Sequence, residues 1–118
     1  MITVKVFIIH SSGMTKQALV HAEKLESEGH ETYVPLRDTE QVLTTEADIL
    51  ASNLREIKWS DECHLIWDLS SQGTLFDMGC AYALGKPIHV IETKKHHWTK
   101  FVTKREGKLL VEYTISTC

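Results

Sequence analysis

Cysteine is scarce in this chain of 118 residues: Cys63, Cys80 and Cys118 make an odd number with no CxxC spacing. No disulfide framework can be read from them, and the usage fits a reducing, cytoplasmic compartment. Cationic residues are not in excess, with 13 Lys and Arg against 16 Asp and Glu and a net charge of -3. A nucleic-acid partner normally demands a basic domain or stripe, so that class is set aside. No apolar run approaches the ~20 residues of a membrane span. The segment Met1 to Val6 has neither a basic region nor a small-residue cleavage site, so no signal peptide is expected. GxGxxG, GxxxxGK[ST] and HExxH are all missing, which removes the usual dinucleotide, P-loop and zinc-protease readings. Seven histidines are present, but only His96 and His97 cluster, directly after Lys94 and Lys95. That stretch reads as a solvated loop, and no metal site is expected. Repeats, linkers and low-complexity tracts are lacking, and no Ser-His-Asp or Cys-His arrangement follows from the spacing.

What remains is an ordinary globular mix, 42% apolar and 25% charged. Residues 1–118 form one domain's worth of chain with one core, burying a little under ~70% of the unfolded surface. Residues 4–10 are a continuous apolar run rich in β-branched side chains, the pattern of a strand buried on both faces. Ser11, Ser12 and Gly13 break it. Met14, Ala18, Leu19, Ala22 and Leu25 then recur at helical spacing, with Gly29 where a helix-closing glycine belongs. Residues 31–36 read as a second strand, placed at an edge because Pro35 cannot donate to a ladder. Thr44 or Thr45 caps the next helix, whose stripe is Leu43, Ala47, Leu50, Leu54 and Ile57. Cys63 and Cys80 fit as small core residues. Residues 63–67 form a third strand, 74–84 a helix closed by Gly85, and 87–92 a fourth strand. Residues 98–104 read as a short helix and 109–113 as a fifth strand. Regular alternation predicts an α/β three-layer sandwich with a parallel sheet in the order 2-1-3-4-5.

In such a sheet, ligands bind beyond the carboxyl ends of the strands where the order switches, here between strands one and three. Two segments meet there: Ser11-Ser12-Gly13, and the stretch from Asp68 to Thr74. Ser71, Gly73 and Thr74 open a helix, so they either cap it or present backbone N–H groups to an anion or sugar hydroxyl. Asp77, near the start of that helix, either complements the helix dipole or points into the cleft as a nucleophile or base. Asp68, ending the third strand, either orients the loop or touches a ribose hydroxyl. Trp67 either fills the core or stacks on a base.

The segment DLSSQGTLFDMGCAYALGKP, residues 68–87, resembles the signature of the nucleoside 2-deoxyribosyltransferase-like superfamily, which includes the 2′-deoxynucleoside 5′-monophosphate N-glycosidases. That signature is a strand ending in Asp, a Gly-Thr loop, Glu-x-Gly-x-Ala and a later Gly-Lys. The opening KVFIIHSSG and the stretch from Asn53 to Asp61 are similar to the family's first strand and to the helix leading into its third, so the resemblance spans roughly residues 4–92. It implies a flavodoxin-like, Rossmann-like fold and cleavage of the N-glycosidic bond at C1′ of a deoxyribose. Asp77 matches the family's nucleophile, a Glu, and Asn53 matches a second acidic residue that assists at base or sugar. Ser71 matches a phosphate-contacting serine, and Ser11, Ser12 and Gly13 match the loop cradling the other side of the nucleotide. Asp for Glu shortens the arm by one methylene, and Asn53 cannot act as a general acid.

The resemblance thus implies an enzyme of deoxynucleosides or their 5′-monophosphates, needing no cofactor. The alternative is a binding protein that holds a nucleotide or nucleotide-derived signal intact. A glycohydrolase of nicotinamide dinucleotides is a third class without a specific motif here. The expected partner is a small nucleoside or nucleotide, with no membrane role. A homodimer or larger homo-oligomer is implied too, a neighbouring subunit completing the sugar site.

Overall fold

The computed structural model describes residues 2–42, 44–68 and 70–93, with the backbone of 104–105 and 108–109. The first apolar run forms β1 (Lys5–His10), and a 3-10 turn at Ser12–Met14 leads into α1 (Thr15–Ser27). β2 (Glu31–Tyr33) is followed by a short helix, α2 (Pro35–Asp38), and by α3 (Glu46–Trp59). β3 (Glu62–Trp67), α4 (Gln72–Ala83) and β4 (Ile88–Thr93) complete the main body.

All four strands pair in parallel in the order β2-β1-β3-β4. β2 lies at an edge, as the sequence predicts. The expected second strand is nonetheless too long. Pro35 begins α2 instead of extending β2, because its fixed φ and missing N–H suit the first turn of a helix. The sheet as described has four strands, not five. Lys104–Arg105 and Lys108–Leu109 (β5 and β6) pair antiparallel in a separate two-stranded sheet. The rest of the predicted fifth strand and residues 98–103 of the helix predicted over 98–104 lie outside the described residues, as do Lys94, Lys95, His96, His97 and Cys118, while Lys104 lies in β5.

The alternation of the strands divides the core. Val6, Ile8 and Ile66 face α1, where Ala18 and Ala22 pack on them with Met14 and Val34. Phe7, Ile9, Leu65, Trp67 and Ile88 face α3 and α4, meeting Ile57, Met78 and Ala81. Fully burying a side chain such as Phe7, Ile9 or Leu65 contributes roughly 1.5–3 kcal/mol, so the two faces carry most of the stability. Cys63 belongs to the second face, and its burial pushes the thiol up to about 12, an inert group. Gly29 (φ 93°) and Gly85 (φ 69°) close α1 and α4 in the left-handed region that glycine adopts without strain. Beyond Gly85, Lys86 Nζ donates to the carbonyls of Lys58 (3.1 Å) and Ser60 (2.7 Å), tying the end of α3 to the turn after α4. Among the described residues no helix is long and apolar enough to cross a membrane.

Candidate active site

The carboxyl ends of β1 and β3 are stitched together by Ser11. Its N–H donates to the Ile66 carbonyl (3.1 Å), and its hydroxyl accepts from the Asp68 N–H (3.2 Å). This residue is fully buried and structural in its contacts. The carboxylate of Asp68 turns back on its own loop, accepting from the backbone and hydroxyl of Ser70. Gly13 approaches it so closely that a Cβ there would sit 3.0 Å from Asp68 Oδ2. Ser71 caps α4, its hydroxyl accepting from Thr74 N–H at 3.3 Å.

Asp77, one turn into α4, is buried. Desolvation pushes its carboxyl from 3.8 up to about 7, opposed by a hydrogen bond from Asn53. Asn53 comes from the buried face of α3, which Thr45 starts by accepting from Asp48 N–H at 3.1 Å. Ala47, predicted in the apolar stripe, is exposed, and the buried line of α3 runs instead through Asn53 and Ile57. The other end of the Asn53 carboxamide is occupied as well. Thr39 Oγ1 donates to Asn53 Oδ1 (2.9 Å), and the Tyr33 hydroxyl lies 2.6 Å from Thr39 Oγ1.

These groups surround a cavity of about 220 Å³ at the strand ends, where Ser12, Asn53, Ser71, Gly73, Thr74 and Asp77 come together. Ser11, Gly13 and Asp68 stand outside its lining and shape the loops that form it. The wall also contains His10, which the sequence offers only as the last residue of an apolar strand. Its position at the carboxyl end of β1, beside the switch in strand order, is the signal that marks it. Its Nδ1 lies 3.0 Å from the Ser11 carbonyl, so Nδ1 carries the proton and Nε2 the lone pair, while burial lowers its pKa. Among the described residues, three buried polar atoms of this wall have no partner: His10 Nε2, Thr74 Oγ1 and Asp77 Oδ1. Unmade hydrogen bonds of this kind cost about 1–3 kcal/mol each, so a polar ligand that reaches them recovers that free energy. At about 220 Å³ the cavity falls below the ~300–1,000 Å³ usual for whole small-molecule sites, enough for part of a nucleotide.

Comparison with known proteins gives the chain's family and its fold. The sequence profile of the nucleoside 2-deoxyribosyltransferase family matches residues 9–112. The chain belongs to the nucleoside 2-deoxyribosyltransferase family. Two solved structures share the fold of this family member. One is a 2-deoxyribosyltransferase from the psychrotolerant bacterium Bacillus psychrosaccharolyticus, at 21% identity and a TM-score of 0.66, covering 80% of this chain and 77% of that one. The other is the Clostridium botulinum CMP N-glycosidase BcmB, at 22% identity and a TM-score of 0.59, covering 83% and 76%. No curated protein matches the sequence.

This nucleoside 2-deoxyribosyltransferase family member carries a second polar cluster on the α1 side of the sheet. His21 Nε2 lies 2.8 Å from His64 Nδ1, and His64 Nε2 lies 2.8 Å from Glu62 Oε2. His89 Nε2 reaches the same Glu62 oxygen at 3.1 Å. Burial lowers the pKa of His64 against the opposing pull of Glu62, and His21 is lowered likewise. A wider groove of about 410 Å³ runs alongside, past Lys16, Val20, His21, Lys24, Ile91 and Glu92, yet none of its residues holds an unpartnered buried polar atom. The cavity beside Asp77 is therefore the better candidate. Among the described residues no group of three His, Cys, Asp or Glu side chains is placed to hold a metal.

Proposed function

We propose that this chain cleaves the N-glycosidic bond of deoxynucleosides or deoxynucleoside 5′-monophosphates, with Asp77 as the nucleophile. The observation carrying this reading is the buried, half-partnered Asp77 carboxyl in a small polar cavity at the strand ends. The ionised Asp77 oxygen attacks C1′ as the C1′–N bond breaks through an oxocarbenium-like state, as in retaining glycosidases. The base leaves with the bonding electron pair and takes a proton from solvent. Water then attacks C1′ and releases the sugar, or a second base attacks and deoxyribosyl transfer results. Asn53 donates to the developing and departing carboxylate but supplies no proton to the base, having none to release.

With the Asp77 pKa near 7, the nucleophile is about half ionised at neutral pH, and the rate rises with pH through that value. Ser71 and Gly73, on the wall at the positive end of α4, suit a 5′-phosphate. The limited volume accords with a site that a second copy of the chain completes. Asn53 in place of an acid favours the other reading, a protein that binds nucleotides without turning them over.

The deciding experiment is incubation with a panel of deoxynucleosides, deoxynucleoside 5′-monophosphates, CMP and NAD, with free base read by chromatography. Base release by wild type that disappears in Asp77→Ala supports the enzyme. Thermal stabilisation by a nucleotide recovered intact selects the binder, at ~2.7 kcal/mol for a hundredfold excess over Kd. Release from NAD alone replaces the substrate class. The absence of both release and stabilisation refutes both readings.

A further inference from the structure

The hydrogen bonds behind Asn53 run in one direction. Thr39 Oγ1 has one proton, and it goes to Asn53 Oδ1 at 2.9 Å. The Tyr33 hydroxyl, 2.6 Å away, must then donate to Thr39. With Oδ1 held at this end, the Asn53 NH2 is left to face Asp77 in the cavity that both line, where it opposes the upward push on the carboxyl. Thr39 and Asn53 are both buried.

We propose that Thr39, backed by Tyr33, is a positioning residue that fixes the Asn53 carboxamide with its NH2 toward the Asp77 carboxyl. The Thr39 donor holds one of the two amide orientations. In the flipped one, Thr39 would accept from the NH2 and Asn53 would aim a carbonyl lone pair at the carboxylate. A carboxylate facing a lone pair is disfavoured, and one facing an N–H is favoured. The chain of three side chains thus maintains an ionisable nucleophile at a site whose burial opposes charge. The catalytic meaning rests on the reading of Asp77 as nucleophile, whereas the hydrogen-bond direction stands without it. The other titratable groups around Asp77 are His10 of β1 in the same cavity, Cys63 of β3 and Cys80 of α4. At the outer end Tyr33 faces Asp38, Arg55 and Glu56.

The test is carboxyl-detected carbon NMR of Asp77, assigned by its disappearance in Asp77→Asn, across pH 4–10. In Thr39→Val, which keeps shape but removes the donor, the Asp77 midpoint rises by roughly one pH unit. In Thr39→Ser it stays at the wild-type value. Where base release is measurable, the pH at half-maximal rate moves with the midpoint and KM changes little. A midpoint unmoved in folded Thr39→Val, or moved equally in Thr39→Ser, overturns the proposal. Should Thr39→Val not fold, wild type alone decides. The Asn53 side-chain NH2 protons must follow the Asp77 titration, and NH2 signals indifferent to it overturn the proposal. Titration shifts without any base release would remove the enzymatic reading and leave this inference standing. Base release with no titration shift would do the reverse.

Discussion

Removing the ionisable group at residue 77 stabilises the fold, and does so increasingly as the pH rises. A carboxyl raised from 3.8 to about 7 costs roughly 4 kcal/mol to ionise in the folded state, at 1.36 kcal/mol per pH unit. The sign follows from where the proton is held. Between those two values the native state keeps the Asp77 proton while the unfolded chain releases it, so stability is full below 3.8 and declines as pH rises through about 7. Asp77→Asn preserves shape and hydrogen bonding but has no proton to lose. Its stability relative to wild type therefore increases by roughly 2–3 kcal/mol between pH 5 and pH 8 and levels off above. Urea unfolding of both proteins at half-unit steps from pH 5 to 9 reads this directly, since titrations elsewhere cancel in the difference. A difference that stays constant with pH, or that shifts in favour of wild type, refutes a buried, desolvated carboxyl. Such a gain in stability by a variant that has lost the proposed nucleophile is the trade expected of a functional site.

Ser71→Ala removes the acceptor that caps α4 and costs about 1 kcal/mol in thermal or urea unfolding. In base-release assays it raises KM for 5′-monophosphates roughly tenfold while sparing nucleosides, because a lost charge-assisted hydrogen bond contributes on the order of 1.5–3 kcal/mol; equal effects on both would exclude a phosphate contact. For His64 the sign is opposite to that of Asp77. It is held neutral in the fold with its pKa below 6.5, so its stability is complete above 6.5 and falls as pH drops through that value. His64→Gln gives a shallower acid limb between pH 6.5 and 5, not an abolished one, because His21 and His10 are lowered as well; an acid limb as steep as wild type would discount the His64 contribution.

Much of the framework was legible because it rests on local rules. The alternation of apolar runs with helical stripes located β1, α1, α3, β3, α4 and β4, and the glycines at 29 and 85 marked helix ends that their positive φ values explain. The strand order placed Ser12, Ser71, Gly73, Thr74 and Asp77 near one another and the family resemblance added Asn53, and all six line one cavity. The misses are tertiary in origin. Pro35 reads equally as an edge-strand or a helix-start residue, and only the chain's return over β2 decides for the helix. Thr39 sits in a connection with no periodicity, so nothing local says that it meets Asn53 fourteen residues on. His10 is invisible for the opposite reason. It continues an apolar strand pattern, and only its place at the strand end turns it toward the cavity. Strand order and resemblance both place Ser11 in the ligand loop, while its burial and its bond to Asp68 show the hydroxyl spent on holding two strand ends together.

The Lys86 ammonium, bonded to the carbonyls of Lys58 and Ser60, bears on the pair it never touches. Asn53 rides on α3 and Asp77 on α4, and the two helices are joined at their carboxyl ends by Lys86 and packed in one core through Ile57 of α3 with Met78 and Ala81 of α4. Spreading the helices to admit a ligand would break both Lys86 bonds and uncover Ile57. Accommodation therefore falls to the loops around Ser12 and Ser71, and side-chain exchanges at 53 and 77 tune the chemistry on a span of constant width.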